Sequence, residues 1–182
     1  MFKLPTGDAL IDPKKVLAEA GLATGMRYAD FGAGTLGHFV FPAADMVGPD
    51  GHVYAVDILK GSIAGIESRI KIESVTNLTP VWGDIEKLRG VAIDDRSVDL
   101  VSIVNITGLI KKSPSVLDEV KRVIKPGGKL LLVDWEKGGS FFSQAMPRAT
   151  PADIEPIATA AGFKVEKRFR AGPRHWGMLL SR

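Results

Sequence analysis

The chain contains no cysteine in its 182 residues. That excludes disulfides, cysteine-ligated zinc, iron–sulfur clusters and every thiol nucleophile. Thiol-bound arsenite methylation and the cysteine-dependent C5 reaction on RNA cytosine are excluded with them. No stretch approaches the roughly 18 uninterrupted apolar residues that a membrane span requires. The first thirteen residues hold Pro5, Gly7, Asp8 and Asp12 and lack an apolar block of signal-peptide length, so a cytoplasmic location is expected. Charge of one sign is scarce as well. Lys plus Arg number 24 and Asp plus Glu 21, a net +3 that is weak support for a nucleic-acid partner. The short basic groups Lys111-Lys112, Lys121-Arg122 and Arg168/Arg170/Arg174 read as solvated faces. Only three histidines occur, and with no cysteine near them no metal site is expected.

Glycine and proline are plentiful, at 20 and 11 residues, and they punctuate an alternating pattern. Asp12-Pro13 caps a helix over 14–20. A strand over 26–31 runs into glycines. A helix over 38–46, a strand over 52–56 and a helix over 60–74 follow, the last with Ile63, Ile66 and Ile70 at helical spacing. Strands are predicted at 78–82 and, as a nearly continuous apolar run, at 98–104. A helix over 113–124 is halted by Pro126-Gly127-Gly128 before a strand at 129–134. Thr150 with Asp153 opens a helix over 150–161. Two closing strands, 164–169 and 176–180, are too closely joined to be parallel. Alternating strands and helices give a Rossmann-like, doubly wound, mostly parallel α/β sheet with a C-terminal antiparallel hairpin at one edge. One domain over 1–182 is expected, with a lead-in over 1–12 and a candidate substrate lid over 138–150 that carries Phe141, Phe142 and Met146.

The sharpest feature is Asp30-Phe31-Gly32-Ala33-Gly34-Thr35-Leu36-Gly37, set between a strand and a helix. Glycines let a ligand approach the backbone, and a helix N-terminus offers free N–H groups. Gly32-x-Gly34-x-x-Gly37 fits the dinucleotide fingerprint, with Asp57 twenty residues beyond Gly37 for a ribose. Asp30 argues the other way. A carboxylate two residues before the first glycine repels a pyrophosphate and suits a ligand with a cationic end.

Asp30-x-Gly32-x-Gly34, Asp57 after the second strand, Gly83-Asp84 after the third, and the run from Glu119 to Pro126-Gly127-Gly128-Lys129-Leu130 resemble the class I S-adenosylmethionine-dependent methyltransferases. The resemblance extends from about Asp12 to the C-terminus and is nearest the small ubiquinone-biosynthesis-like methyltransferase domains. It departs at Leu36, which stands at a third glycine position with Gly37 one residue later, as a one-residue insertion would leave it. It implies S-adenosylmethionine as cofactor. Asp30 would bond its ammonium, and Gly32, Ala33 and Gly34 would line the methionyl part. Asp57 would hold the ribose, with Ile58 on the adenine. Asp84 would bond the adenine amino group beside Ile85, and Asn105 would face the transferring methyl, with Ile106 and Thr107 on the same wall.

The Asn-Pro-Pro-aromatic motif of enzymes that methylate planar amino groups is absent, since Asn105 is followed by Ile106-Thr107-Gly108. No catalytic residue stands out. Asp134, Glu136 and His175 are weak candidates. The expected reaction is in-line methyl transfer to an O, N or C nucleophile of a small molecule. A protein or RNA substrate in an open groove, and a nucleotide-binding module without catalysis, remain as alternatives.

Overall fold

A computed structural model describes residues 11–136 and 149–182. Most of the expected lead-in, and all of the expected lid except Ala149 and Thr150, lie outside the described residues. The chain runs α1 (Pro13–Glu19), β1 (Arg27–Phe31), α2 (Val40–Val47), β2 (His52–Asp57), α3 (Lys60–Glu73), β3 (Leu78–Trp82), β4 (Val98–Val104), α4 (Gly108–Lys112), α5 (Val116–Val123), β5 (Ile124–Trp135), α6 (Pro151–Ala160), β6 (Lys164–Gly172) and β7 (His175–Ser181).

The seven strands form one sheet in the order β3-β2-β1-β4-β5-β7-β6. The first five are parallel, and β7 lies antiparallel between β5 and β6. This is the expected doubly wound sheet with its hairpin at one edge. Alternation along the strands splits the core in two. Ala29, Phe31, Val101, Ile103, Leu130 and Leu132 pack toward α5 and α6. Tyr28, Val53, Ala55, Leu100, Leu131 and Val133 pack toward α1, α2 and α3. Full burial on both faces is why β4 and β5 read as continuous apolar runs.

Local chemistry sets most boundaries. Asp12 accepts the Lys15 amide at 3.2 Å and Pro13 occupies the first turn of α1. Thr150 and Asp153 form a reciprocal capping box at the start of α6.

Two expectations need correction. The helix expected over 113–124 is α5 alone, preceded by a separate turn of helix, α4, that has no periodicity of its own to read. The Pro126-Gly127-Gly128 stop lies within β5, because Ile124 already pairs with Val98 before the register shifts to Leu100 opposite Lys129. The excess residues fold tightly over that shift. A Cβ on Gly128 would lie 2.7 Å from Ile124 Cγ2 and 3.0 Å from the Asp99 carbonyl oxygen.

Candidate active site

In the sheet order the chain reverses direction between β1 and β4, where open α/β sheets bind ligands beyond the strand ends. Asp30 and Ser102 are register partners across that junction. The Asp30 carboxyl is almost wholly buried. Its Oδ1 accepts the Ser102 hydroxyl at 2.5 Å, and Ser102 Oγ lies 2.5 Å from the Tyr28 hydroxyl. Burial raises its pKa to about 7; the Ser102 hydrogen bond opposes the rise and the Asp57 charge adds to it.

The glycine loop leaves β1 directly beyond Asp30. The amides of Gly32 and Ala33 both donate to the Val56 carbonyl, at 2.8 and 2.9 Å. Its three glycines serve different ends. Gly32 has φ +89°, and a Cβ there would fall 2.3 Å from Ile106 Cδ1, so glycine lets the wall after β4 close on the loop. Gly34, at φ +66°, faces open space on the side where a Cβ would project. Gly37, at φ +57°, sits against Val40 and Phe41 of α2.

Asp57 ties this loop to the end of β2. Its Oδ2 accepts the Gly34 amide at 2.9 Å and its Oδ1 accepts the Leu59 amide at 2.8 Å. Ile58 is exposed beside it, and its carbonyl accepts the Trp82 indole N–H at 2.9 Å. Trp82 is 59% exposed at the same rim with Lys60 over its ring. Asp84 heads a tight turn: its Oδ1 accepts the Glu86 amide at 3.0 Å, and its Oδ2 pairs with Lys87 at 3.1 Å. Ile85, next to it, is buried in the core on the α5–α6 face.

Asn105 stands exposed at the end of β4 in the left-handed region, φ +61°, with its amide donating to the Val133 carbonyl at 2.8 Å. Thr107 behind it is buried, and its amide and hydroxyl donate to Asp134 Oδ2 at 3.1 and 2.5 Å. Asp134 Oδ1 accepts the Trp135 amide at 2.8 Å. Both oxygens of Asp134 are therefore engaged, and the side chain braces the wall that carries Asn105. His175 is buried with its ring 3.9 Å from that of Trp135. Glu136 lies exposed at the end of β5. Among the described residues no group of three or more His, Asp or Glu could hold a metal.

Sequence reasoning missed the face of α3 that holds the glycine loop. Ser62 Oγ lies 3.4 Å from Thr35 Oγ1, and a Cβ on Gly65 would meet Thr35 Cγ2 at 2.7 Å. Arg69 Nη1 donates to the Leu36 carbonyl at 2.8 Å while its guanidinium lies over the Phe41 ring. Positions 62, 65 and 69 recur at helical spacing, the one signal by which this face could have been found. Leu36 is thus held from outside by its carbonyl. Arg69→Ala is expected to weaken binding of S-adenosylhomocysteine about three- to tenfold, the loss of one charge-assisted hydrogen bond at a half-exposed site, with only a small fall in melting temperature. Calorimetric titration checks it, and unchanged affinity would show that the loop holds itself.

A family model described as "Methyltransferase domain" matches residues 22–162. The arsenite methyltransferase of Halobacterium salinarum is 32% identical over 117 residues, 64% of this chain and 29% of that protein. The ubiquinone/menaquinone biosynthesis C-methyltransferase UbiE of Cupriavidus taiwanensis is 30% identical over 122 residues, 66% of this chain and 48% of that protein. The chain thus spans less than half the length of these two relatives. The crystal structure of a SAM-dependent methyltransferase from Aquifex aeolicus superposes with a TM-score of 0.87 at 26% identity, over 98% of this chain and 93% of that one. Together with the glycine loop beyond Asp30, these matches show that the chain belongs to the S-adenosylmethionine-dependent methyltransferase family.

Proposed function

We propose that the protein transfers the methyl group of S-adenosylmethionine to an oxygen, nitrogen or carbon nucleophile of a small molecule. The observation that carries this reading is the buried Asp30 carboxyl. One of its oxygens is bonded to Ser102, and the other accepts no hydrogen bond among the described residues. It suits a ligand whose end is an ammonium and would repel a pyrophosphate.

Asp30 takes the ammonium, and Gly32, Ala33 and Gly34 line the methionyl part. The open side of Gly34 supports this, since any side chain there would project into the space a ligand needs. Asp57 keeps lone pairs for a ribose after serving the Gly34 and Leu59 amides, because a carboxylate accepts about four hydrogen bonds. Ile58 lies against the adenine, Asp84 bonds its amino group beside Ile85, and Asn105 faces the methyl. The cofactor supplies a sulfonium, whose methyl is already activated and whose leaving group is a neutral thioether. The protein's own task is then placement, and holding nucleophile and methyl in line contributes about 7–11 kcal/mol. Asp134, bonded through both oxygens, keeps the Asn105–Thr107 wall in place. The name of UbiE, a C-methyltransferase of ubiquinone and menaquinone biosynthesis, favours a small acceptor and, among the three acceptor atoms, carbon. The arsenite methyltransferases carry less weight, because these 182 residues contain no thiolate for a soft metalloid.

The test is calorimetric titration with S-adenosylhomocysteine, with NAD in parallel. A screen of small phenols, quinols and amines for release of S-adenosylhomocysteine follows. Micromolar binding of S-adenosylhomocysteine, no heat with NAD, and turnover of a small acceptor are expected. Binding of NAD instead would overturn the cofactor assignment. Turnover of RNA or protein alone, with every small acceptor inert, would overturn the substrate class.

A further inference from the structure

We infer that Tyr28 and Ser102 are positioning residues for the cofactor's ammonium group, acting through the Asp30 carboxylate. The inference rests on the assignment of Asp30 proposed above.

The three side chains lie on one face of the two central strands. Tyr28 and Asp30 alternate along β1, with Leu100 and Ser102 opposite them on β4. Tyr28 and Ser102 are completely buried. Counting protons fixes the direction of the chain. An ionised carboxylate only accepts, so the single Ser102 hydroxyl proton goes to Asp30 Oδ1. Ser102 Oγ is then the acceptor for Tyr28, whose hydroxyl proton has no other partner. The relay runs one way, from Tyr28 through Ser102 to Asp30. It pins Oδ1 on Ser102 and leaves Oδ2 for a ligand.

Packing alone does not account for the two hydroxyls. Ser102 interrupts the apolar run Val98–Val104, where alanine would fill the strand without burying a polar atom. Among the described residues no other hydrogen bond to the Asp30 carboxyl is found. The other titratable groups near it are Tyr28 itself and Asp57 of β2. His38 is turned to the Ile11 carbonyl. α1, α2, α3 and β5 contribute apolar side chains, among them Leu17, Val40, Ile66 and Val133. A buried chain of hydroxyls of this kind restricts the acceptor to one orientation.

The experiment titrates wild type, Ser102→Ala, Tyr28→Phe and Asp30→Asn with two ligands across neutral pH. S-adenosylhomocysteine carries the ammonium. 5′-Methylthioadenosine keeps the adenosine and lacks the amino-acid part. Ser102→Ala should weaken S-adenosylhomocysteine about tenfold and Tyr28→Phe about threefold, with 5′-methylthioadenosine within about twofold of wild type for both. Loss of the Ser102 hydrogen bond, which favours the charged form, should also move the pH midpoint of S-adenosylhomocysteine binding upward. A role in folding alone would depress both ligands equally and leave that midpoint in place, which would overturn the inference. Normal affinity in both hydroxyl variants, beside a weakened Asp30→Asn, would overturn it while sparing the site. Normal affinity in Asp30→Asn would remove the site assignment and the inference together.

Discussion

Asp57→Ala is expected to lower affinity for S-adenosylhomocysteine at least tenfold, and by about a hundredfold if the loop and ribose contributions add. The carboxylate works in two directions. Inward, it accepts the amides of Gly34 and Leu59, one from the glycine loop and one from the segment leading into α3. Outward, in the proposed site, its remaining lone pairs would serve a ribose. Hydrogen bonds to a charged acceptor contribute about 1.5–3 kcal/mol each, so losing the Gly34 bond alone would loosen the loop before any ligand contact is counted. Asp57→Asn separates the two directions poorly. A carboxamide has one acceptor oxygen, so its NH2 group would confront whichever backbone amide that oxygen does not serve. The asparagine variant should therefore resemble the alanine variant in affinity more than it resembles wild type. Calorimetry on both variants is the check. Wild-type affinity in Asp57→Ala would show that neither the loop nor the ribose depends on this group.

Much of this site could be read from the chain, because strand ends and tight turns write themselves into sequence. Asp30, Asp57 and Asp84 each lie at or just beyond the end of a parallel strand that the apolar pattern marks out. Gly32, Gly34 and Gly37 all adopt positive φ, which favours glycine. The residues that were not legible act across elements. Ser102 is an unremarked hydroxyl in an apolar strand until the register sets it opposite Asp30. Arg69 reads as one more solvated cation on an amphipathic helix until α3 is laid against Leu36. Trp82 is one aromatic at a strand end until its indole N–H is found on the Ile58 carbonyl. The same limit applies to the fold. α4 is a single turn with no period, and the start of β5 at Ile124 is set by pairing with Val98, against the helix that precedes it. Local signals specify where elements begin and which face is apolar, and contacts distant in sequence specify what meets at the site.

Asp30→Asn is expected to stabilise the unliganded protein at mildly alkaline pH while weakening S-adenosylhomocysteine about a hundredfold, since it removes the charge that faces the ammonium. The sign follows from where the proton sits. Asp30 has a folded pKa of about 7 against an ordinary value of 3.8, so folding takes up a proton between those limits. The stability linked to that proton is complete below about pH 4 and is lost as pH rises through 7. At pH 8 the buried charge then costs roughly 2–4 kcal/mol relative to a neutral group of the same shape. Asparagine is such a group, and its carbonyl oxygen can still accept the Ser102 hydroxyl. Melting curves should place the variant above wild type at pH 8, with the gap closing as pH approaches 4. Adding S-adenosylhomocysteine at a saturating level should close most of that gap, because a hundredfold difference in affinity favours wild type by up to about 2.7 kcal/mol. A variant that melts below wild type at pH 8 would show that the carboxylate is compensated within the fold. If the gap appears as expected, the chain keeps a destabilising carboxylate in its central strand because a cationic ligand neutralises it.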